Sequence, residues 1–151
     1  MYVKTLFAFV LTIALLISVS VAQSGSSQRT YFQLPEMAEL NLPFSDAVLV
    51  GDTLYLSGNG GLDLETMQVP EDPRAEAELL MQNFRNVLAM AEMSLDDLVS
   101  VTVYCPDLSL YGDFNEVYRS HFESDLPARA FIGSGPLLFG LRFEMQAIAV
   151  R

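Results

Sequence analysis

One amphipathic helix constrains the fold of this chain more than any other part of its sequence. Asp72 and Pro73 are typical of the N-cap and first position of a helix, and Glu76 and Glu78 follow near the positive end of its dipole. Apolar side chains then recur at helical spacing in a single stripe, at Leu80, Phe84, Val87, Leu88 and Ala91. We interpret this stripe as part of a hydrophobic core, and not as a cofactor site.

Six β-prone runs surround this helix and are separated by turn-forming residues. The predicted strands are residues 30–34, 47–50, 53–58, 98–104, 128–133 and 141–150. Gly51 and Asp52 join the second and third runs as a hairpin turn. In the fourth run, Val99, Val101 and Val103 are expected on one side of the strand.

A second amphipathic helix is predicted between the fourth and fifth strands. Asp107 or Ser109 can cap it, and it continues to about Ser124, with Phe114, Val117, Tyr118, His121 and Phe122 roughly on one side. We interpret His121, the only histidine, as a partly packed helix residue. The element order predicts an α+β domain with a mostly antiparallel sheet of about six strands and two helices on one face. We expect other subunits to cover the opposite face.

The first 22 residues have the pattern of a signal peptide. One positive charge precedes an uncharged apolar run from Thr5 to Val21, and small residues stand at the positions that a signal peptidase reads. An uncleaved membrane anchor is the alternative, because the run is nearly long enough to span a bilayer. We expect cleavage, an exported (periplasmic or secreted) protein without stable membrane association, a disordered linker at 23–30 and one domain at 31–151.

Charge and cysteine content disfavour several functions. Beyond the predicted signal peptide, which holds the one Lys, seven basic residues, all Arg, stand against 19 acidic residues, a net charge of −12. This charge repels phosphate backbones, so we expect no nucleic-acid partner. Cys105 is the only cysteine and can form neither an internal disulfide nor a cysteine metal cluster. We interpret it as a buried, inert thiol, with an intermolecular disulfide as the alternative.

Two charged residues near the C-terminus stand inside apolar runs. The planar, forked guanidinium of Arg129 suits bidentate binding of a carboxylate. Glu144 lies at strand-like spacing among apolar residues, where a carboxylate without a partner is costly. On neighbouring strands the two could bind an acid and handle a proton or water; alternatively, they pair with each other or with other charges. Residues 58–61 either let a ligand approach closely or form an ordinary glycine-rich turn.

Taken together, these motifs resemble the RidA family, also known as the YjgF/YER057c/UK114 or L-PSP family. The resemblance extends from about Leu42 to Val150, and the order and spacing of its segments make it specific. The segments that carry it are Leu42–Val48, Gly51–Gly58, Asn83–Leu88, Ser94–Val99, Val101–Tyr104, Phe114–Tyr118, Pro127–Arg129 and Glu144–Val150.

The resemblance implies a chorismate-mutase-like fold assembled as a homotrimer, with sites between subunits and no metal or organic cofactor. It also implies a deaminase of the 2-iminobutanoate/2-iminopropanoate type, which hydrolyses reactive enamines and imines to 2-keto acids and ammonia. By position, Arg129 resembles the arginine that clamps the carboxylate of a small-molecule substrate, and Glu144 the acid that positions or activates water. The implied substrate-binding residues are Ser57, Asn115, Phe44, Gly58 and Phe131.

Several positions depart from the family pattern. Phe44 stands where many members have Tyr, and Phe131 replaces a Cys or small residue. Residues 138–140, Leu-Phe-Gly, replace Pro-Lys-Gly, and Gln146 replaces a second acid. The pocket is therefore expected to be more apolar, and the natural substrate to differ. A non-catalytic trimer that binds small acids is the alternative function, while the ribonuclease activity attached to some members is disfavoured by the net charge.

Overall fold

The computed structural model describes residues 28–123 and 125–151. Within these ranges the chain forms, in order, β1 (Arg29–Phe32), α1 (Pro35–Ala38), β2 (Ala47–Val50), β3 (Thr53–Gly60), α2 (Pro73–Met90), β4 (Leu98–Cys105), α3 (Tyr111–Ser120), β5 (Ala128–Gly133) and β6 (Glu144–Val150). The predicted signal peptide and residues 23–27 of the predicted linker lie outside the described residues. Arg29, placed in that linker by the sequence, already belongs to β1 together with Thr30, the first residue of the predicted strand. Within the described ranges, no helix is long and apolar enough to cross a membrane.

The six strands form one sheet in the order β1-β2-β3-β6-β4-β5. All neighbouring strands are antiparallel except β4 and β5, which are parallel because α3 provides the crossover between them. The predicted mostly antiparallel α+β fold is confirmed. The expectation that the strands of Arg129 and Glu144 are neighbours is wrong, since β4 lies between β5 and β6.

Helix α2 buries the stripe that the sequence predicted. The Asp72 side chain accepts a hydrogen bond from the backbone N–H of Arg74 at 3.1 Å, and Pro73 occupies the first turn. The stripe residues Leu80, Phe84, Val87, Leu88 and Ala91 are all at most 3% exposed. They belong to one core with the inward residues of β3, β4 and β6, which include Leu54, Val101, Val103 and Met145.

Local packing moves some predicted boundaries. A register shift between Leu98 and Ser100 turns Val99 outward, where it is 46% exposed, so it does not share a side with Val101. Strand β3 continues to Gly60, through residues that the sequence analysis placed in a turn or ligand loop. Helix α3 ends at Ser120, whose hydroxyl donates to the Val117 carbonyl at 2.7 Å and competes with the helical pattern.

The only histidine and the only cysteine of the sequence each contact a defined partner in the structure. His121 lies at the C-cap of α3, and its Nε2 is 2.8 Å from Oε2 of Glu78 on α2, so it is partly packed as predicted. The Cys105 thiol is buried and donates to the Asp107 carbonyl at 3.0 Å. Burial raises the pKa of this thiol, which keeps it protonated and unreactive near neutral pH.

A buried carboxylate connects α2 to the segment before β6. Glu76 is fully buried, and its Oε1 accepts hydrogen bonds from the backbone N–H groups of Arg142 at 2.6 Å and Phe143 at 3.1 Å. Its Oε2 forms an ion pair with the Arg142 guanidinium, which also donates to the carbonyls of Pro70 and Glu71. The sequence alone places Glu76 only near the positive end of the helix dipole. Because this network binds the backbone of residues 142–143, β6 begins at Glu144, three residues later than predicted.

The described residues leave the sheet face opposite α2 and α3 uncovered. Tyr55 is 50% exposed there, and a shallow groove runs between β3, β6 and β4 beside Ser100, Thr102 and Ile148. An open sheet face of this kind is normally buried against another surface.

Candidate functional site

The predicted site residues separate into two pockets. The arginine pocket is lined by Asn115, Tyr118, Arg119, Leu126, Pro127 and Arg129. The glutamate pocket contains Phe44, Gly58 and Glu144 among its lining residues. In one chain, none of the five main pockets formed by the described residues contains both Arg129 and Glu144.

Arg129 points to the helix-covered side of the sheet. It pairs in register with Val101, whose side chain is buried beneath the helices. The guanidinium carbon lies 4.5 Å from the ring centroid of Tyr118, and the rings of Phe114 and Phe131 are next to it at 5.7 and 5.8 Å. Nη2 donates a hydrogen bond to Oδ1 of Asn115. Aromatic rings and one amide therefore hold the cation in place.

The Arg129 cation retains the capacity to bind an anion. Among the described residues it forms no ion pair, and its buried Nη1 atom has no hydrogen-bond partner. The alternative that Arg129 is neutralised by another charge of the same chain is therefore wrong for the part of the chain that the structure describes. A buried guanidinium nitrogen without an acceptor is costly, so a carboxylate arriving there gains a charge-assisted hydrogen bond.

Two tyrosines of the arginine pocket region were not identified as site residues from the sequence. Tyr118 lies three positions after Asn115 on α3, so both side chains share one helix face, a spacing that could have indicated it. Its buried hydroxyl has no partner among the described residues, and burial raises the pKa of Tyr118 to about 12. Asn115 and, to a smaller extent, the Arg129 charge hold the pKa of the exposed Tyr111 below its usual value. Tyr118 is thus a neutral donor at physiological pH.

Glu144 points to the face opposite the helices. The next residue, Met145, is fully buried in the core, and successive side chains of a strand alternate between faces. Gly58 lies directly against Glu144: a Cβ atom at position 58 would overlap Oε1 of the carboxylate. The irregular pairing of β3 and β6 between Leu56 and Asn59 places this glycine beside the acid. Glycine is needed here for the approach of the protein's own carboxylate.

The remainder of the glutamate pocket is strongly apolar. The apolar lining residues are Met37, Leu40, Leu42, Phe44, Leu62, Leu64, Met67, Leu138, Phe139 and Leu141. They come from several separate segments, which is why the sequence analysis identified only some of them. The polar lining residues are Asp46, Asn59 and Glu144. Asp46 is buried and accepts from the Leu34 backbone N–H at 2.7 Å; burial raises its pKa, while that hydrogen bond acts in the opposite direction.

Two further predicted residues lie beside the pockets. The hydroxyl of Ser57 donates to the backbone carbonyl of Asp46 at 3.1 Å, and Ser57 lines neither pocket. Phe131 packs against the rings of Tyr111 and Phe114, with centroids 5.0 and 5.5 Å apart, and so supports the wall behind Arg129. The described residues contain no group of three or more side chains suited to hold a metal ion. The functional roles given to these residues stay predictions.

The two charged residues cannot meet on one small molecule within a single chain. Arg129 lies on the helix side of an edge strand, and Glu144 lies on the other side of the sheet, beyond β4. The alternative that they pair with each other is therefore wrong within the chain. Each pocket presents half of the chemistry that the sequence analysis ascribed to one site.

Residues 37–151 match the family model described as Endoribonuclease L-PSP. The chain belongs to the L-PSP family. Individual members of the L-PSP family are similar to it over most of their length. The 2-iminobutanoate/2-iminopropanoate deaminase of Mus musculus is 38% identical over 110 residues, which are 72% of this chain and 82% of the mouse protein.

Solved structures of L-PSP proteins have the same fold. RidA from an Antarctic Psychrobacter species is 31% identical, with a TM-score of 0.71, and the match covers 84% of this chain and 99% of that protein. TdcF of E. coli, solved with bound serine, is 28% identical with a TM-score of 0.69, and the match covers 73% and 89% of the two chains. These similarities confirm the RidA-type fold that the sequence motifs implied.

Proposed function

We propose that this protein hydrolyses reactive 2-imino acids and their enamine tautomers to 2-keto acids and ammonia. The observation that carries the proposal is the Arg129 guanidinium, which is held by Tyr118 and Asn115 and keeps a buried, unbonded N–H group. Relatives named 2-iminobutanoate/2-iminopropanoate deaminase, such as those of mouse and human at 38% and 34% identity, support this reaction class.

The reaction needs few groups because an imine carbon is already electrophilic. In the proposed mechanism, Arg129 binds the substrate carboxylate and fixes the position of C2. Glu144 accepts a proton from a water molecule while the oxygen of that water attacks C2. The product of this attack is a carbinolamine. Protonation of the nitrogen then lets ammonia leave, and the C2–OH group loses its proton to become the ketone.

We further propose that each site forms between two subunits of a homotrimer. The arginine pocket of one subunit would face the glutamate pocket of the next, and this head-to-tail contact would close into a ring. The support is the placement of the two pockets on opposite sides of the sheet, together with the uncovered sheet face beside Tyr55.

A non-catalytic acid-binding trimer is the second candidate. The observation that favours it is the bound serine of E. coli TdcF, since serine carries a carboxylate and is not an imine. An endoribonuclease, the activity in the family's description, is disfavoured because 19 acidic residues repel an RNA backbone.

The function is tested by supplying imines and measuring their removal. An amino-acid oxidase generates 2-imino acids in the presence of semicarbazide, which traps them, and the protein competes by hydrolysis. We expect wild type to lower trapping and Arg129→Ala to reduce kcat/KM by about 100-fold or more, because two charge-assisted hydrogen bonds to the carboxylate are lost. Arg85→Ala, which removes the same charge from the exposed face of α2, should stay close to wild type.

Three results distinguish the candidates. Hydrolysis that survives in Arg129→Ala contradicts the site assignment. Binding of 2-keto or amino acids that depends on Arg129, without hydrolysis by wild type, supports the acid-binding trimer. Loss of activity in Arg85→Ala as well would show that net charge, and not the arginine pocket, controls the reaction.

We also propose that residues 1–22 direct export and are removed. The support is the sequence pattern of a charged start, an apolar run and small residues before Gln23. The intact mass of protein recovered from the exported fraction should correspond to a chain that begins at Gln23. A full-length mass in the membrane fraction would establish an anchor.

A further inference from the structure

The glutamate pocket contains more space than the side chain of a small imino acid fills. Its cavity has a volume of about 170 Å³ and opens beside Glu144 and Gly58. We infer that the preferred substrate is a 2-imino acid with a bulky hydrocarbon side chain, of the size of an isobutyl or benzyl group. This inference rests on the proposed function and concerns the substrate class of that same site.

The cavity size matches such a side chain. An apolar protein cavity of roughly 150 Å³ is enough to hold a benzene molecule. A methyl or ethyl group would leave most of the space to water among apolar walls, whereas an isobutyl or benzyl group would displace that water. Selectivity for one additional methylene in an apolar pocket is about tenfold or more, and the bulky side chains add several carbon atoms.

The position of the cavity connects it to the reacting carbon. In the proposed mechanism Glu144 delivers water to C2, which is bonded to both the carboxylate and the side chain. With the carboxylate held by Arg129 of a neighbouring subunit, the side chain extends from C2 toward the walls around Glu144. These walls include Leu42, Leu62 and Leu141.

The rim of the cavity also favours a hydrocarbon ligand. Leu138 and Phe139 are 74% and 64% exposed, although both border the cavity. Phe139 has a φ of 58°, a left-handed conformation that is unfavourable for a residue with a side chain, so its placement at the rim is held at a cost. A bulky substrate side chain would cover apolar surface that is otherwise exposed to water.

Part of the polar wall is already occupied by the protein itself. Oδ2 of the buried Asp46 carboxylate accepts from the Leu34 backbone N–H at 2.7 Å and from the Gln33 amide at 3.2 Å. A cationic side chain is the competing possibility, since it could approach Asp46 and Glu144, and it is included in the test.

The test measures kcat/KM for imines made by amino-acid oxidases from alanine, leucine, phenylalanine and arginine, with protein expressed from the full-length sequence. We expect kcat/KM for the leucine- and phenylalanine-derived imines to be at least about tenfold higher than kcat/KM for the alanine-derived imine. Leu42→Trp, which fills the cavity, should lower kcat/KM for the leucine- and phenylalanine-derived imines and bring this ratio near one. Leu108→Trp, the same change at an exposed leucine outside the glutamate pocket, should keep the wild-type ratio.

The outcomes separate the inference from the proposed function. Equal or better hydrolysis of the alanine-derived imine, or a preference for the arginine-derived one, overturns the inference and leaves the deaminase intact. No hydrolysis of any imine overturns both. If Leu42→Trp does not fold, Phe139→Ala provides the second variant and should also lower the ratio. The variant that folds can also change subunit assembly while keeping the wild-type ratio of kcat/KM values. That result would show that a neighbouring subunit fills the cavity, which also overturns the inference.

Discussion

A mixture of two inactive variants should recover about a quarter of the wild-type activity. In the proposed mechanism, Arg129→Ala lacks the carboxylate clamp and Glu144→Ala lacks the group that activates water, so neither variant alone would form a complete site in the proposed trimer. If the chain assembles as the proposed ring, co-expression in equal amounts gives mixed trimers in about three of four assemblies, and each mixed ring contains one intact site out of three. The expectation follows from the position of the two residues on opposite sides of the sheet.

The matched control combines Arg129→Ala with a chain that carries both substitutions. No subunit then supplies Arg129, so mixing should recover no activity. Native mass spectrometry establishes that mixed assemblies have formed and counts their subunits. Mixed trimers that remain inactive would contradict a site shared between subunits, and activity in the control mixture would show that Arg129 is dispensable.

Glu76→Ala should lower the free energy of unfolding by about 3–5 kcal/mol, the usual cost of removing one partner from a buried ion pair. The fully buried carboxylate of Glu76 receives the backbone N–H groups of Arg142 and Phe143 as well as the Arg142 guanidinium. Alanine leaves the Phe143 N–H, which is in the core, without its acceptor. Urea unfolding measures the change, at a fixed protein concentration because the proposed subunit association would also contribute to stability.

An exposed ion pair provides the comparison for Glu76. Glu116 lies 2.6 Å from Arg74 on the surface, and its side chain is 66% exposed. Glu116→Ala makes the same chemical change there and should cost at most about 1 kcal/mol. Glu76→Gln keeps an acceptor for the backbone N–H groups and should lie between the two. Equal effects of the Glu76 and Glu116 substitutions would refute the structural role of the buried carboxylate.

The position of the Glu76 network connects stability to the site. Arg142 and Phe143 immediately precede Glu144, so the carboxylate that fixes them also fixes where β6 begins. The mixing experiment and the unfolding experiment therefore both test the segment of residues 142–144. One tests the chemistry of the Glu144 side chain, and the other tests the backbone that presents it.

Local sequence was sufficient to predict the main elements and the family. The cap at Asp72, the stripe on α2 and the hairpin around Gly51 depend on residues close together in the chain, whose spacing is visible without the fold. The predictions of side-chain direction and strand boundaries failed where contacts between distant residues determine them. Val99 points outward at a bulge, and β6 begins later than predicted because Glu76, more than sixty residues earlier, binds the backbone of the two residues before it.

The amino-acid sequence by itself determined the α+β class, the two main helices and the family motifs that single out Arg129 and Glu144, because periodicity and motif spacing are properties of neighbouring residues. Only the tertiary structure decided that β4 separates β5 from β6, so that these two side chains point to opposite sides of the sheet. It also assembled the apolar cavity beside Glu144 from segments far apart in the chain. Such features arise from long-range strand pairing and packing, which no local pattern encodes.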